Sequence, residues 1–402
     1  MIFATARKTA AGAGARPDGP WSQIALLAAG IGLLLVSAWL FLTPHAWATL
    51  YERDLPAYQT AIDAFAAGHD PYKPAQVRHA HGLPFIAPPF VWLLYRLAAH
   101  SPIRAAFSGM LMIADIISIV AIPAILSRLL LGPGAARIVL GAGFFFAAFL
   151  GSGVFTGLVA NNGTPLYALI ALALIPAVTR GRWLAFHLAV ALATAFKPFY
   201  AAFWLVPLLA DAEARRQWRA AAVAVALAAS TYLVPLLLAP KLMAAWIHTL
   251  FQQVVEHDRL GDNLLGAMTA DPRPTPVSPL VGHLALSAVL LGAALMLGRM
   301  GRSQRIAGLL LAAVFLNPRA MRYDLSTAAI PLLALVAGAA ARGQPGGAVQ
   351  AACAVALAAV TIIYSRDTPA DGYLYAAVAV AALLAAIVAA QATPREASAR
   401  VA

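Results

Sequence analysis

Of the chain's 402 residues, 62% are hydrophobic and only 11% are Asp, Glu, Lys or Arg, against roughly 25% charged in an ordinary soluble domain. With a mean hydropathy of +0.78, this composition excludes a soluble enzyme. The net charge of +12 sits mostly in short loops between apolar runs, so it reports membrane topology and not nucleic-acid binding.

Apolar segments fall at about 21–43, 86–100, 104–127, 136–154, 163–179, 183–209, 217–239, 279–298, 304–318, 323–341, 347–364 and 372–391, most of them of a length that can cross a bilayer. They predict an all-α polytopic membrane protein. It is organised as an N-terminal cytoplasmic tail over 1–20, one transmembrane domain over 21–391 and a C-terminal tail over 392–402. The first apolar run, Ile24 to Leu42, is too long for a secretory signal and lacks a clear cleavage site, so it reads as an uncleaved span. The single cysteine, Cys353, excludes an intramolecular disulfide and a cysteine-based metal site.

Two stretches, 44–85 and 240–278, are long enough to hold structure outside the hydrocarbon core, and each carries four carboxylates. In the first, Leu55, Tyr58, Ile62 and Phe65 recur at spacings of three and four, which predicts an amphipathic helix over Asp54–Ala67 lying on the membrane surface. The clusters at Arg7, Lys8 and Arg16, at Arg215, Arg216 and Arg219, and at Arg299, Arg302 and Arg305, together with Arg342, are cytoplasmic by the positive-inside bias. Both long loops then face outward.

Two arrangements satisfy this between the first loop and Arg215. In one, every apolar candidate there spans, and Arg128, Arg137, Arg180 and Arg182 face outward. In the other, the segment at Pro88-Pro89 stays near the outer face and 183–209 is a hairpin broken at Lys197-Pro198, which turns those four arginines inward.

Four polar clusters stand out. The first runs from Asp54 through Gly68-His69-Asp70-Pro71-Tyr72 to Ala87-Pro88-Pro89-Phe90. Asp54 can cap the following helix, or it can act as general base on a hydroxyl at the mouth of the bundle. The second is Thr194-Ala195-Phe196-Lys197-Pro198-Phe199-Tyr200. There a lysine within the membrane precedes a helix-breaking proline, and it can pair with a lipid phosphate, snorkel, or pair structurally with Asp115. The third, Asn317-Pro318-Arg319-Ala320-Met321-Arg322-Tyr323-Asp324, sets two arginines on the outer side, where they bind an anion or anchor to the membrane surface. The fourth, Asn161-Asn162-Gly163-Thr164, is a helix cap or a polar contribution to the site. His79 and His81 lack a third ligand, so no zinc site is expected. The chain has no P-loop, no dinucleotide-binding glycine pattern and no serine elbow.

In order and spacing, DLPAYQTAIDAFAAGHDPY after a first span, then APPF, NNG, and RGRW followed by ATAFKP before a basic loop, resemble the glycosyltransferase family 87 (DUF2029) proteins of the GT-C superfamily, over roughly residues 21–340. The resemblance implies a GT-C fold of about 11 to 12 transmembrane helices with amphipathic helices in the first outer loop. It implies inverting transfer of a sugar from a polyprenyl-phosphate donor to a glycolipid or glycan acceptor, on the outer (periplasmic) side of a bacterial-type inner membrane, with no cofactor and no nucleic acid.

Asp54 matches the family's catalytic aspartate. Asp70 and Tyr72 match its G-x-D-P-Y pattern, with Pro88 and Pro89 as a further structural motif. Charge and location assign Lys197, Arg319 and Arg322 to the donor phosphate, with Tyr58, Asn161, Asn162 and Asp324 as further substrate-binding candidates. Where mannosyltransferases of the family carry His-rich or Trp-rich sequence this chain reads NPRAMRYD, so the sugar is mannose or another hexose or pentose. A transporter or flippase of lipid-linked sugars is the rival expectation.

Overall fold

The computed structural model describes residues 20–42, 55–70, 72, 87–151, 163–210, 212–256, 264–270, 277–297, 302–318, 326–340, 377 and 380. Among these there is no strand. Five helices are long and apolar enough to cross a membrane: Pro20–Trp39, Gly109–Leu130, Gly163–Arg180, Trp218–Leu238 and Pro279–Met296. The chain is an all-α membrane protein.

The helices are α1 (Pro20–Leu42), α2 (Leu55–Ala66), α3 (Pro89–Ala99), α4 (Phe107–Leu130), α5 (Ala135–Gly151), α6 (Gly163–Arg180), α7 (Leu184–Phe196), α8 (Leu205–Ala210), α9 (Ala212–Arg216), α10 (Trp218–Leu238), α11 (Pro240–Glu256), α12 (Leu264–Ala270), α13 (Pro279–Met296), α14 (Arg302–Phe315) and α15 (Ala329–Ala340). Short 3-10 segments at Pro102–Ala106, Pro198–Trp204 and Ser326–Ala328 lead into α4, α8 and α15.

At the centre lies α14. Every residue from Ile306 to Phe315 is buried, packed among α4, α8, α13, α15 and the 3-10 segment Pro198–Trp204. An α-helix that is apolar all round belongs either in lipid or inside protein, and this 14-residue helix is enclosed by protein. It is shorter than the apolar stretch 304–318 read from the sequence, because the chain turns at Leu316 and Asn317.

Two ends of the bundle can be distinguished by their polar contacts. At one, Arg302 of α14 donates through Nη1 to the Val178 carbonyl (2.9 Å) and through Nη2 to that of Ala177 (3.2 Å), covering the end of α6. One turn on, Arg305 donates to the Ala210 carbonyl at the end of α8 (3.1 Å). Gln217 donates to the Gly181 carbonyl (2.6 Å) and accepts from the Trp183 N–H (3.0 Å). The chain therefore leaves this end at Leu184 and is back at it by Ala210. This is the hairpin geometry of the second arrangement, with Arg180 and Arg182 at the same end as Arg215 and Arg216. We call it the arginine pole.

Helix α6, at 1.5 Å per residue about 27 Å long, carries the chain from the opposite pole. There Tyr200 donates to the Gly163 carbonyl (2.9 Å) and Tyr167 donates to that of Thr327 (3.1 Å).

Close helix crossings rest on small residues, as is usual where no hydrophobic force separates helix from lipid. A Cβ at Gly30 of α1 would meet the Val139 and Leu140 backbone of α5 at 2.7 Å, and one at Gly143 would lie 2.5 Å from the Gly30 carbonyl oxygen. Gly32, two residues along the same helix, faces open space. Gly30→Leu is expected to lower stability in detergent by about 1–3 kcal/mol through overpacking, while Gly32→Leu leaves it unchanged. Equal thermal midpoints for the two variants would contradict the α1–α5 crossing.

Candidate functional site

The pole opposite the arginines carries the G-x-D-P-Y, APPF and ATAFKP motifs singled out in the sequence. After α2, Gly68 adopts a positive φ of 75°, which a residue without Cβ reaches at no steric cost. The Asp70 carboxylate then accepts from the Tyr72 N–H (3.0 Å), closing an Asx turn. This turn delivers the Tyr72 side chain into a cluster with Ala61, Ile62, Val91, Tyr95, Met243 and Trp246. Its hydroxyl donates to the Ala87 carbonyl (2.6 Å). Burial first, and the Asp70 charge second, push the phenol well above its usual range, so it stays a donor. The G-x-D-P-Y and APPF motifs are thus joined by one buried hydrogen bond.

Pro88 and Pro89 are buried and start α3, with Pro88 extended (φ −61°, ψ 158°) and Pro89 at the first helical position, where the missing N–H costs nothing. Phe90 then meets Phe196 edge-on, ring centroids 6.2 Å apart. That contact joins APPF to ATAFKP.

At the ATAFKP motif the helix ends directly before Lys197-Pro198. The Thr194 carbonyl would accept from residue 198, and Pro198 has no N–H to give. The hydroxyl of Tyr232, from α10, supplies the donor instead, at 2.5 Å from the Thr194 oxygen and 3.3 Å from that of Ala195. The Tyr232 ring lies 6.0 Å from that of Trp246 on α11, so a helix from the second long loop meets α10 beside the break. Lys197 is extended (φ −141°, ψ 106°) and half-buried, with Nζ 5.8 Å from the centre of the Phe199 ring, a cation–π distance. Asp115, considered as its structural partner, is fully buried on α4.

The remaining candidates flank anchored residues. Asn161 and Asn162 precede Gly163, whose carbonyl Tyr200 holds. Arg319, Arg322 and Asp324 lie between Asn317, which is buried, and the Ser326–Ala328 turn, which Tyr167 holds at Thr327. Asp54 precedes α2, which packs against α3. Asp54, Asn161, Asn162, Arg319, Arg322 and Asp324 themselves, like the side chain of Tyr58 and the pair His79 and His81, lie outside the described residues.

The sequence reading missed the anchoring tyrosines Tyr167 and Tyr232. Their signal is a phenol inside an apolar helix, which needs an acceptor when buried. It also missed α11, whose Met243 and Trp246 complete the cluster around Tyr72.

No protein-family model, no curated protein and no solved structure matches the chain.

Tyr232→Phe leaves the Thr194 carbonyl without its donor at a buried site and is expected to cost about 1–3 kcal/mol of stability. An unchanged unfolding midpoint in detergent would show that the break has another support.

For Tyr72 the phenol's pKa is raised on folding, so its contribution is complete below about pH 10, the unfolded value, and declines above it. Stability measured from pH 8 to 11 should fall at the alkaline end in the wild type and fall less steeply in Tyr72→Phe; parallel profiles would place Tyr72 in a solvated setting.

Proposed function

We propose that this protein is a membrane glycosyltransferase of the GT-C type, similar to glycosyltransferase family 87 and carrying about 11 to 12 spans. It transfers a sugar from a polyprenyl-phosphate donor to a glycolipid or glycan acceptor, and it works at the outer face of a bacterial-type inner membrane. One observation supports the reading above the others. The G-x-D-P-Y, APPF and ATAFKP motifs, far apart in the chain, are linked at one pole by the Tyr72–Ala87 hydrogen bond and the Phe90–Phe196 contact. This puts Lys197 on the same assembly as the helix that follows Asp54.

In the proposed reaction the acceptor hydroxyl attacks the anomeric carbon. The new C–O bond forms as the bond to the phosphate oxygen breaks, with inversion. The hydroxyl proton passes to the Asp54 carboxylate and the lipid phosphate leaves as an anion. Lys197, Arg319 and Arg322 carry the charge that develops on the departing phosphate, and Tyr58, Asn161, Asn162 and Asp324 contact the substrates. The chain's own residues suffice for this step.

The test is transfer from a panel of radiolabelled polyprenyl-phosphate sugars to a membrane lipid extract by purified protein in detergent. Wild-type protein is expected to transfer one of them, and Asp54→Asn to lose about 10²-fold or more of the rate, the scale of a general base, while remaining folded. Lys197→Ala should raise the KM for donor more than that for acceptor. Normal turnover by Asp54→Asn would remove Asp54 from the base role. Silence across the panel, with movement of lipid-linked sugar across vesicles, would instead establish a flippase.

A further inference from the structure

The arginine pole carries more cations than its own architecture uses. Helix α6 ends in an αL motif. Gly181 takes a positive φ of 67°, its N–H donates to the Ala177 carbonyl (3.1 Å), and the Arg182 N–H donates to that of Pro176 (3.1 Å). Arg302 covers the Ala177 and Val178 carbonyls, and Arg305 covers that of Ala210. The helix ends are thus closed without Arg180, Arg182, Arg215, Arg216 or Arg219. All five are exposed, and none is ion-paired to a carboxylate among the described residues.

Gln217 clamps the two turns that bear them, donating to Gly181 and accepting from Trp183. Beside them Trp218 is 60% exposed, with the Arg219 guanidinium 5.6 Å from its ring. Asp211 and Glu213 are the carboxylates of the connecting sequence, so five arginines face two acids.

We propose that these two clamped turns form a binding surface for the phosphate headgroups of anionic phospholipids in the leaflet at this end of the molecule. Guanidinium groups match phosphate oxygens in pairs, and an exposed indole sits favourably at the headgroup level. Excess cationic charge at a membrane surface selects anionic lipid over zwitterionic lipid. Gln217 contributes by holding the Arg180–Arg182 turn beside Arg215–Arg219, so that one headgroup cluster meets both. The surface is separate from the proposed transfer site at the other pole.

The experiment is native mass spectrometry of the full chain in detergent, titrated with dioleoylphosphatidylglycerol or dioleoylphosphatidylcholine. Wild-type protein is expected to retain the glycerol lipid about tenfold better. Arg180→Gln with Arg182→Gln, and separately Arg215→Gln with Arg216→Gln and Arg219→Gln, should each lower that tenfold preference to about threefold or less, leaving retention of the choline lipid unchanged. Gln217→Ala keeps every arginine and should still weaken it. Lys241→Gln, an exposed cation on α11, should not. Equal retention of the two lipids by the wild type overturns the proposal without recourse to any variant. So does a Gln217→Ala or arginine variant that retains the glycerol lipid as the wild type does, or full displacement by inorganic phosphate at matched concentration.

Discussion

Irregular backbone inside a membrane protein must find donors for its carbonyls within the protein, and the break at Lys197-Pro198 is where this chain meets that demand. Pro198 removes the donor for Thr194, and Tyr232 supplies another from a different helix. The consequence is geometric. With α7 closed off at Phe196, the chain turns through a 3-10 segment and returns along α8 to the end it left. The same tyrosine lies against Trp246 and so fixes α11 beside the break. The break before Pro198 and its tyrosine donor thus lie at the turn of a hairpin and at the seat of a helix from a long loop.

The two poles divide the molecule's polar chemistry. At one, arginine side chains close helix ends, and the remaining arginines face outward on clamped turns. At the other, the buried Tyr72, Tyr200 and Tyr167 and the half-buried Tyr232 donate to the backbone carbonyls of Ala87, Gly163, Thr327 and Thr194. A phenol suits this work because it brings a large apolar surface and a single donor, and it holds a loop without placing a charge in the hydrocarbon. Loops pinned in this way give side chains such as Lys197 a fixed frame, which transfer between two bound substrates requires. Between the poles, α14, buried from Ile306 to Phe315, ties the ends together, with Arg302 at one and Asn317, just past its last turn, at the other.

The apolar segments, the amphipathic character of Leu55–Ala66 and the break before Pro198 were all legible in the sequence, because each rests on periodicity or on proline. Ile62, on the expected inner face of α2, is fully buried, and Asp63 beside it is exposed and paired to Arg104 at 2.6 Å. What hydropathy could not separate was burial in lipid from burial in protein, so α14 read as a span like the others. Helix α11 was hidden in a stretch read as a loop, since its apolar face is narrow and begins at a proline. The clamp at Gln217 and the donor at Tyr232 are single residues acting on partners more than thirty positions away, and no local pattern marks them. Of the predicted site residues, Asp70 and Tyr72 are tied to the Pro88-Pro89 segment by the Tyr72–Ala87 hydrogen bond, and Phe90 meets Phe196 next to Lys197, while Asp54 and the Arg319–Asp324 segment lie outside the described residues.

The central structural claim is that residues 184–210 form a hairpin beginning and ending at the arginine pole. It is tested most directly by side-specific labelling of single cysteines, introduced at Arg182 and at Arg216 in a Cys353→Ala background, with an impermeant thiol reagent on sealed vesicles of known orientation. The account predicts that both positions label from the same face, and that a cysteine at Ser278, at the start of α13, labels from the other. Labelling of Arg182→Cys and Arg216→Cys from opposite faces would mean that the segment crosses the membrane once, and the two-pole architecture would fall with it.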